Sequence, residues 1–109
     1  HITALGADAP GKQELHLDLL SRAAVIAVDH RAQCADYGEI ATAVRSGLLD
    51  PSECPELGAI LSGWEPGRTS DDQITITDLT GVATQDIAIV RAALAALKHE
   101  GSNRRDLSV

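Results

Sequence analysis

The sequence predicts an α/β domain in which a small parallel sheet carries helices on its faces, and three observations lead there. Three short runs rich in β-branched or aliphatic residues, 2–5, 24–28 and 74–77, are separated by stretches of helical periodicity. Each run ends in a polar or glycine-containing turn: GADAPGK, DHRAQ and DLTG. The apolar palette is Ala, Val, Ile and Leu, because the 109 residues contain Tyr37 and Trp64 but no Phe and no Met. That palette suits helices packed on parallel strands.

The elements follow in chain order. Ile2 to Leu5 reads as a first strand, its Ile and Thr suggesting an edge or a less covered position. In QELHLDLLSRA, Leu15, Leu19, Leu20 and Ala23 share one helical face, with Asp18 either capping the helix internally or marking a break. The continuous apolar run AVIAV, 24–28, suits a strand buried on both faces. A right-handed crossover is the natural link between the first two strands. GEIATAVRSG, 38–47, reads as a helix ending at a glycine, with Ile40 and Val44 four apart and Glu39 as a first-turn acid favoured by the dipole. PELGAILSG follows as a short helix with Pro55 near its first turn, and WEPGRTSDDQ as a loop. ITIT, 74–77, is the third strand, alternating like the first. From Val82 to Lys98, Ile87, Val90, Leu94 and Leu97 recur at spacings of three and four, so a long helix is expected to pack its Ala-rich stripe on a sheet or another helix. Beyond Gly101 the pattern dissolves into a polar tail, 101–109, that includes Arg104 and Arg105.

Composition removes several function classes. A net charge of -7 opposes binding to nucleic acid or to an anionic membrane, both of which need a basic face. No apolar run approaches the ~20 residues that span a bilayer, and no basic-then-apolar leader opens the chain, so a cytoplasmic protein is expected. Cys34 and Cys54 fall in no ligand pattern, and His1, His16, His30 and His99 show no ligand spacing, so no metal is assigned and reduced thiols are expected. A chain without methionine that opens inside a strand-like run is expected to be a processed product or a remnant of something longer.

In open parallel sheets ligands bind beyond the carboxyl ends of the strands. Asp8 and Lys12 fall in the first such loop, and Asp78, Thr80 and Gly81 in the last. On spacing alone the structural reading comes ahead of a site role: a solvated pair for Asp8 and Lys12, turn and cap residues for Asp78 and Thr80. Gly81, at a helix start, could leave backbone N–H groups free for an anion or a carboxamide.

Four segments in register, HITALGADAPGKQEL, VDHRAQCADYGE, ELGAILSGWEPGR and ITITDLTGVATQD, resemble the ornithine cyclodeaminase and mu-crystallin family from His1 to about Leu97. That family also includes archaeal-type alanine dehydrogenases and ketimine reductases. The resemblance implies the second half of a Rossmann-like NAD(P)-binding domain over 1–80, then a helix, 81–100, returning toward a dimerisation domain. It also implies a homodimeric parent enzyme that uses NAD or NADP to move a hydride at the α-carbon of a small amino or imino acid. By resemblance Asp8 is the catalytic acid or base, and Lys12, Asp78, Thr80 and Gly81 are cofactor-binding. No G-x-G-x-x-G occurs, so the pyrophosphate cradle is missing and the 109 residues alone are expected to be inactive. Cyclodeaminase, amino-acid dehydrogenase or ketimine reductase, and a non-catalytic ligand-binding protein all remain open at this level.

Overall fold

The computed structural model describes the backbone of residues 1–105 and the side chains of residues 1–99. Three strands, β1 (Ile2–Ala4), β2 (Val25–Val28) and β3 (Thr75–Asp78), form one parallel sheet in the order β1-β3-β2. Between β1 and β2 lies α1 (Leu17–Arg22). Between β2 and β3 come α2 (Arg31–Tyr37), α3 (Ala41–Arg45), a 3-10 turn at Pro51–Glu53 and α4 (Leu57–Leu61). The chain then enters α5 (Ala83–Arg105). The α/β expectation with a parallel sheet and a long C-terminal helix therefore holds.

The strand order reverses the expectation for β3 and puts the buried β2 at an edge. β3, expected at an edge or a half-covered position, is the central strand and is buried along its whole length. Its alternating Ile–Thr pattern survives burial because the hydroxyls find partners: Thr75 Oγ1 lies 2.7 Å from His1 Nδ1 and accepts from Arg68 Nη2 at 3.2 Å. β2, the continuous apolar run, lies on the outside of the sheet, where the segment 54–56 covers it. The Val28 N–H donates to the Pro55 carbonyl at 3.0 Å, and Val28 bridges Glu56. Burial of β2 thus comes from chain folded over an edge.

The helices are shorter and more numerous than their apolar periods suggest. α1 starts only at Leu17, where His16 Nδ1 caps it by accepting from the Asp18 N–H. α2 was not expected at all. It buries only Cys34, has no acid in its first turn and is capped by His30 instead of Ser, Thr, Asp or Asn, so none of the usual start signals is present. The core joins both sides: Leu20, Ile26, Val28, Cys34, Ile40, Ala43, Cys54 and Ile76 form one buried cluster.

α5 differs from expectation in two ways. Its backbone continues through Gly101 to Arg105, overrunning the expected start of a polar tail, because each added residue of an established helix contributes one further hydrogen bond. Residues 106–109 of that tail lie outside the described residues. Its apolar stripe is also uncovered: Ile87, Val90, Leu94 and Leu97 are all more than half exposed. Among the described residues no helix is long and apolar enough to cross a membrane.

Candidate active site at the strand ends

The register puts the carboxyl ends of all three strands together. Ala4 and Val28 both pair with Asp78, and the Leu79 N–H donates to the Ala4 carbonyl at 3.0 Å. The loops that begin at Leu5, Asp29 and Leu79 therefore leave the sheet at one end. A hydrophobic groove of about 200 Å³ lies elsewhere, on a sheet face lined by Val25, Ala27, Ile60 and Ile76 among others. The strand-end surface is a different place and is open on one side.

In the first loop, Ala9–Lys12 is a tight turn of the kind that places Pro at its second position and a left-handed glycine at its third. Gly11 has φ +84, and the Lys12 N–H closes the turn on the Ala9 carbonyl at 3.2 Å. The turn folds Lys12 back, and its ammonium donates to Asp8 Oδ1 at 2.6 Å. That hydrogen bond and charge hold the Asp8 carboxyl below the usual carboxylate range. Both side chains are about half exposed. Asp8 is thus an ionised, accessible carboxylate on a short lever anchored by buried Ala7.

The last loop is built differently from what its sequence suggests. Asp78 is wholly buried, its Oδ2 accepting from the Ile40 N–H at 3.2 Å while Oδ1 has no partner among the described residues. Burial pushes its carboxyl up against the pull of the Glu39 and Ile40 N–H groups. Thr80 is buried as well, and its hydroxyl donates to Asp29 Oδ1 at 3.0 Å. The Gly81 N–H, expected to be free for an anion, instead donates to Asp29 Oδ2 at 2.8 Å. Gly81 keeps φ +89 with open space where a Cβ would stand. Of the five residues singled out beforehand, Asp8, Lys12 and Gly81 reach the surface, while the Asp78 and Thr80 side chains face inward.

Asp29 is the organiser that sequence reasoning missed. Besides Thr80 and Gly81 it accepts from the His30 N–H at 2.9 Å and from the Cys34 thiol at 3.2 Å. Gln33 completes the clamp, its amide donating to Thr80 Oγ1 and the Gly81 carbonyl. The available signal was an acid directly after a continuous apolar strand, a position that points into a strand-end loop. Burial, together with the bond to Asp29, pushes the Cys34 thiol up to about 12, so this cysteine is a neutral hydrogen-bond donor and not a nucleophile. Tyr37 at the end of α2 also belongs to this surface: partial burial, then the carboxylates of Asp29, Asp36 and Asp8 among others, push its phenol up.

Glu39, expected as a first-turn acid favoured by the helix dipole, lies just before α3 and is completely buried. Its two oxygens accept from the Glu14 N–H at 2.8 Å and the Leu15 N–H at 3.0 Å. Gly38 beside it has no room for a side chain, because a Cβ there would collide with Asp78 Oδ2. Among the described residues no group of three or more His, Cys, Asp or Glu could hold a metal ion.

The arrangement puts an ionised carboxylate, a neighbouring ammonium and a backbone turn held by Asp29 at the rim of the parallel sheet, groups with the chemistry for proton transfer. The iminosuccinate reductase of Paracoccus denitrificans is 43% identical over 101 residues, which cover 93% of this chain and 31% of that protein. The crystal structure of the Paracoccus denitrificans iminosuccinate reductase in complex with NAD+ superposes with a TM-score of 0.84 at 42% identity, over 93% of this chain and 31% of that one. The alanine dehydrogenase of Archaeoglobus fulgidus is 41% identical over 105 residues, 94% of this chain and 32% of that protein. An archaeal alanine dehydrogenase dimer with bound NAD superposes with a TM-score of 0.78 at 43% identity, over 84% of this chain and 28% of that one. The ornithine cyclodeaminase of Brucella suis is 37% identical over 101 residues, 93% of this chain and 26% of that protein. The chain thus spans about a third or less of the length of the curated relatives it matches. Residues 1–100 match the ornithine cyclodeaminase/mu-crystallin family, and the chain belongs to that family.

Proposed function

We propose that residues 1–80 are the second half of a Rossmann-like NAD(P)-binding domain, that residues 81–100 lead toward a dimerisation domain, and that the whole protein is a homodimeric enzyme of amino- or imino-acid metabolism. The reaction is hydride transfer between NAD(H) or NADP(H) and the α-carbon of a small amino or imino acid. The observation that carries this reading is the Asp8–Lys12 pair, half exposed at the end of a parallel sheet. A bound nicotinamide supplies the hydride donor or acceptor. The residues of this chain supply proton chemistry and shape. Asp8, kept ionised by Lys12, accepts a proton from the substrate nitrogen or from a water adding to an imine, and returns it in the reverse direction.

The fit to a dinucleotide is partial. Gly81, exposed and without a side chain, leaves room for close approach of a planar ring, and Asp29 holds that turn still. Thr80 serves the cofactor from beneath, by fixing that turn through Asp29 and Gln33, while the Asp78 side chain holds the 38–40 turn. Pyrophosphate contacts belong to chain outside these residues, since no glycine-rich phosphate loop occurs here. Reductase, dehydrogenase and cyclodeaminase forms of the reaction are all represented among relatives of similar identity, so the reaction form is left to the assay below. Retention of the Asp8–Lys12 pair speaks against a purely ligand-binding protein.

The test is to incubate the full-length protein with NAD+ or NADP+ and alanine or ornithine, and with the reduced cofactors and cyclic or acyclic imino acids. Net change in reduced cofactor identifies a dehydrogenase or reductase. Ammonia release from ornithine without net reduced cofactor identifies a cyclodeaminase. Absence of cofactor binding contradicts the proposal.

A further inference from the structure

We propose that Glu39 is a positioning residue for the Asp8 loop, and that a relay from buried Asp78 through buried Glu39 to exposed Glu14 sets where Asp8 stands. This rests on the reading of Asp8 as the acid/base group. The relay begins on the central strand, where Asp78 accepts from the Ile40 N–H and so fixes the 38–40 turn that carries Glu39. The fully buried Glu39 carboxylate then spans 24 and 25 residues of sequence to hold the Leu15 and Glu14 N–H groups. Glu14 closes the relay, its Oε2 accepting from the Gly6 N–H at 3.1 Å, two residues before Asp8. Both glycines in the relay are close-approach positions: a Cβ at Gly6 would collide with the Glu14 carboxyl, as one at Gly38 would with Asp78. The loop is thereby gripped at its base by Gly6 and at its far end by residues 14 and 15.

The chemistry of the grip requires a carboxylate. Two backbone donors converge on one side chain, so two acceptor oxygens are needed, and a glutamine offers one acceptor and one donor. Glu39→Gln changes almost no volume yet turns an NH2 group against one of the two N–H groups. A group needed only for core packing would tolerate that exchange.

The experiment compares the full-length protein with its E39Q, E14A and D8N variants by amide hydrogen exchange and by steady-state kinetics. In E39Q the amides of Glu14 and Leu15 are expected to exchange about 10- to 100-fold faster, the range that follows from leaving one buried donor unpaired. The amides of Ile26 and Ile76 should keep their protection. Misplacing Asp8 by even 1 Å should lower kcat about 10- to 100-fold while KM for the dinucleotide stays within about twofold. Unchanged exchange at residues 14 and 15, or wild-type kcat in E39Q beside an inactive D8N, overturns the proposal. If E39Q does not fold, E14A decides: faster exchange confined to Gly6 and the loop, with reduced kcat, supports the relay, and wild-type exchange and kcat refute it. If D8N is fully active, the acid/base reading fails, and loop exchange in E39Q alone then decides whether Glu39 holds the loop.

Discussion

Gly38→Ala probes the buried junction beneath the candidate site. The added methyl would collide with Asp78 Oδ2 and stand 3.0 Å from Asp78 Cγ and 2.9 Å from Cys34 Cα. Carbon atoms in contact normally lie ~3.5–4.0 Å apart, so these neighbours must retreat by at least about half an ångström. Neither moves easily: Asp78 is fully buried on the central strand, and the Cys34 Cα is backbone inside α2. Overpacking of this kind costs about 1–3 kcal/mol. Pulling Asp78 off the Ile40 N–H, now at 3.2 Å, adds about 1 kcal/mol. The expected loss is therefore about 2–4 kcal/mol, read as a lower urea midpoint at unchanged slope in the full-length protein. A companion cycle with Asp78→Ala should show a coupling of about 1 kcal/mol or more, because removing the carboxylate makes room. A loss below about 0.5 kcal/mol, the level of an ordinary surface change, would refute the close approach.

Further outcomes follow from the same geometry. Lys12→Met removes the hydrogen bond and charge that depress Asp8, so the acid limb of the pH–rate profile should move to higher pH; an unmoved limb would separate Asp8 from that limb. Asp78 has a folded-state affinity for its proton above the ordinary value of 3.8, so its contribution to stability falls as pH rises from there through its raised value. Asp78→Asn should therefore gain stability relative to wild type with rising pH across that window, measured by urea unfolding at several pH values, and a constant difference would contradict the upward shift. Cys34 and Cys54 are buried and pushed up to about 12 and about 11, chiefly by burial. Neither should react with a thiol reagent in the native protein near neutral pH, and both should react in denaturant.

The strands and the class of the fold could be read from β-branched runs separated by helical periods, because those signals are local. The order of the strands could not. Thr75 and Thr77 look half-exposed in a linear pattern, and their burial rests on partners the pattern does not show, His1 from the far end of the chain and Arg68 from the preceding loop. α2 escaped notice because its one buried residue, Cys34, leaves no periodic stripe. At the site, Asp8 and Lys12 were legible because their contact is made within one turn. Asp29 and Glu39 were not, since each acts on backbone groups as much as 52 and 25 residues away, and a carboxylate that binds backbone N–H groups leaves no partner residue type to recognise. Asp78 carried the opposite lesson: a strand-end acid with the right neighbours turned inward to hold the 38–40 turn.

In the proposed function Asp8 is the proton-transferring group of a hydride-transfer enzyme. Kinetics of the full-length Asp8→Asn protein, paired with calorimetric titration of its dinucleotide, test it most directly. Turnover is expected to fall by about 10²–10⁴-fold, the usual contribution of general acid–base catalysis, with dinucleotide affinity unchanged. Turnover equal to wild type with the same affinity would contradict it.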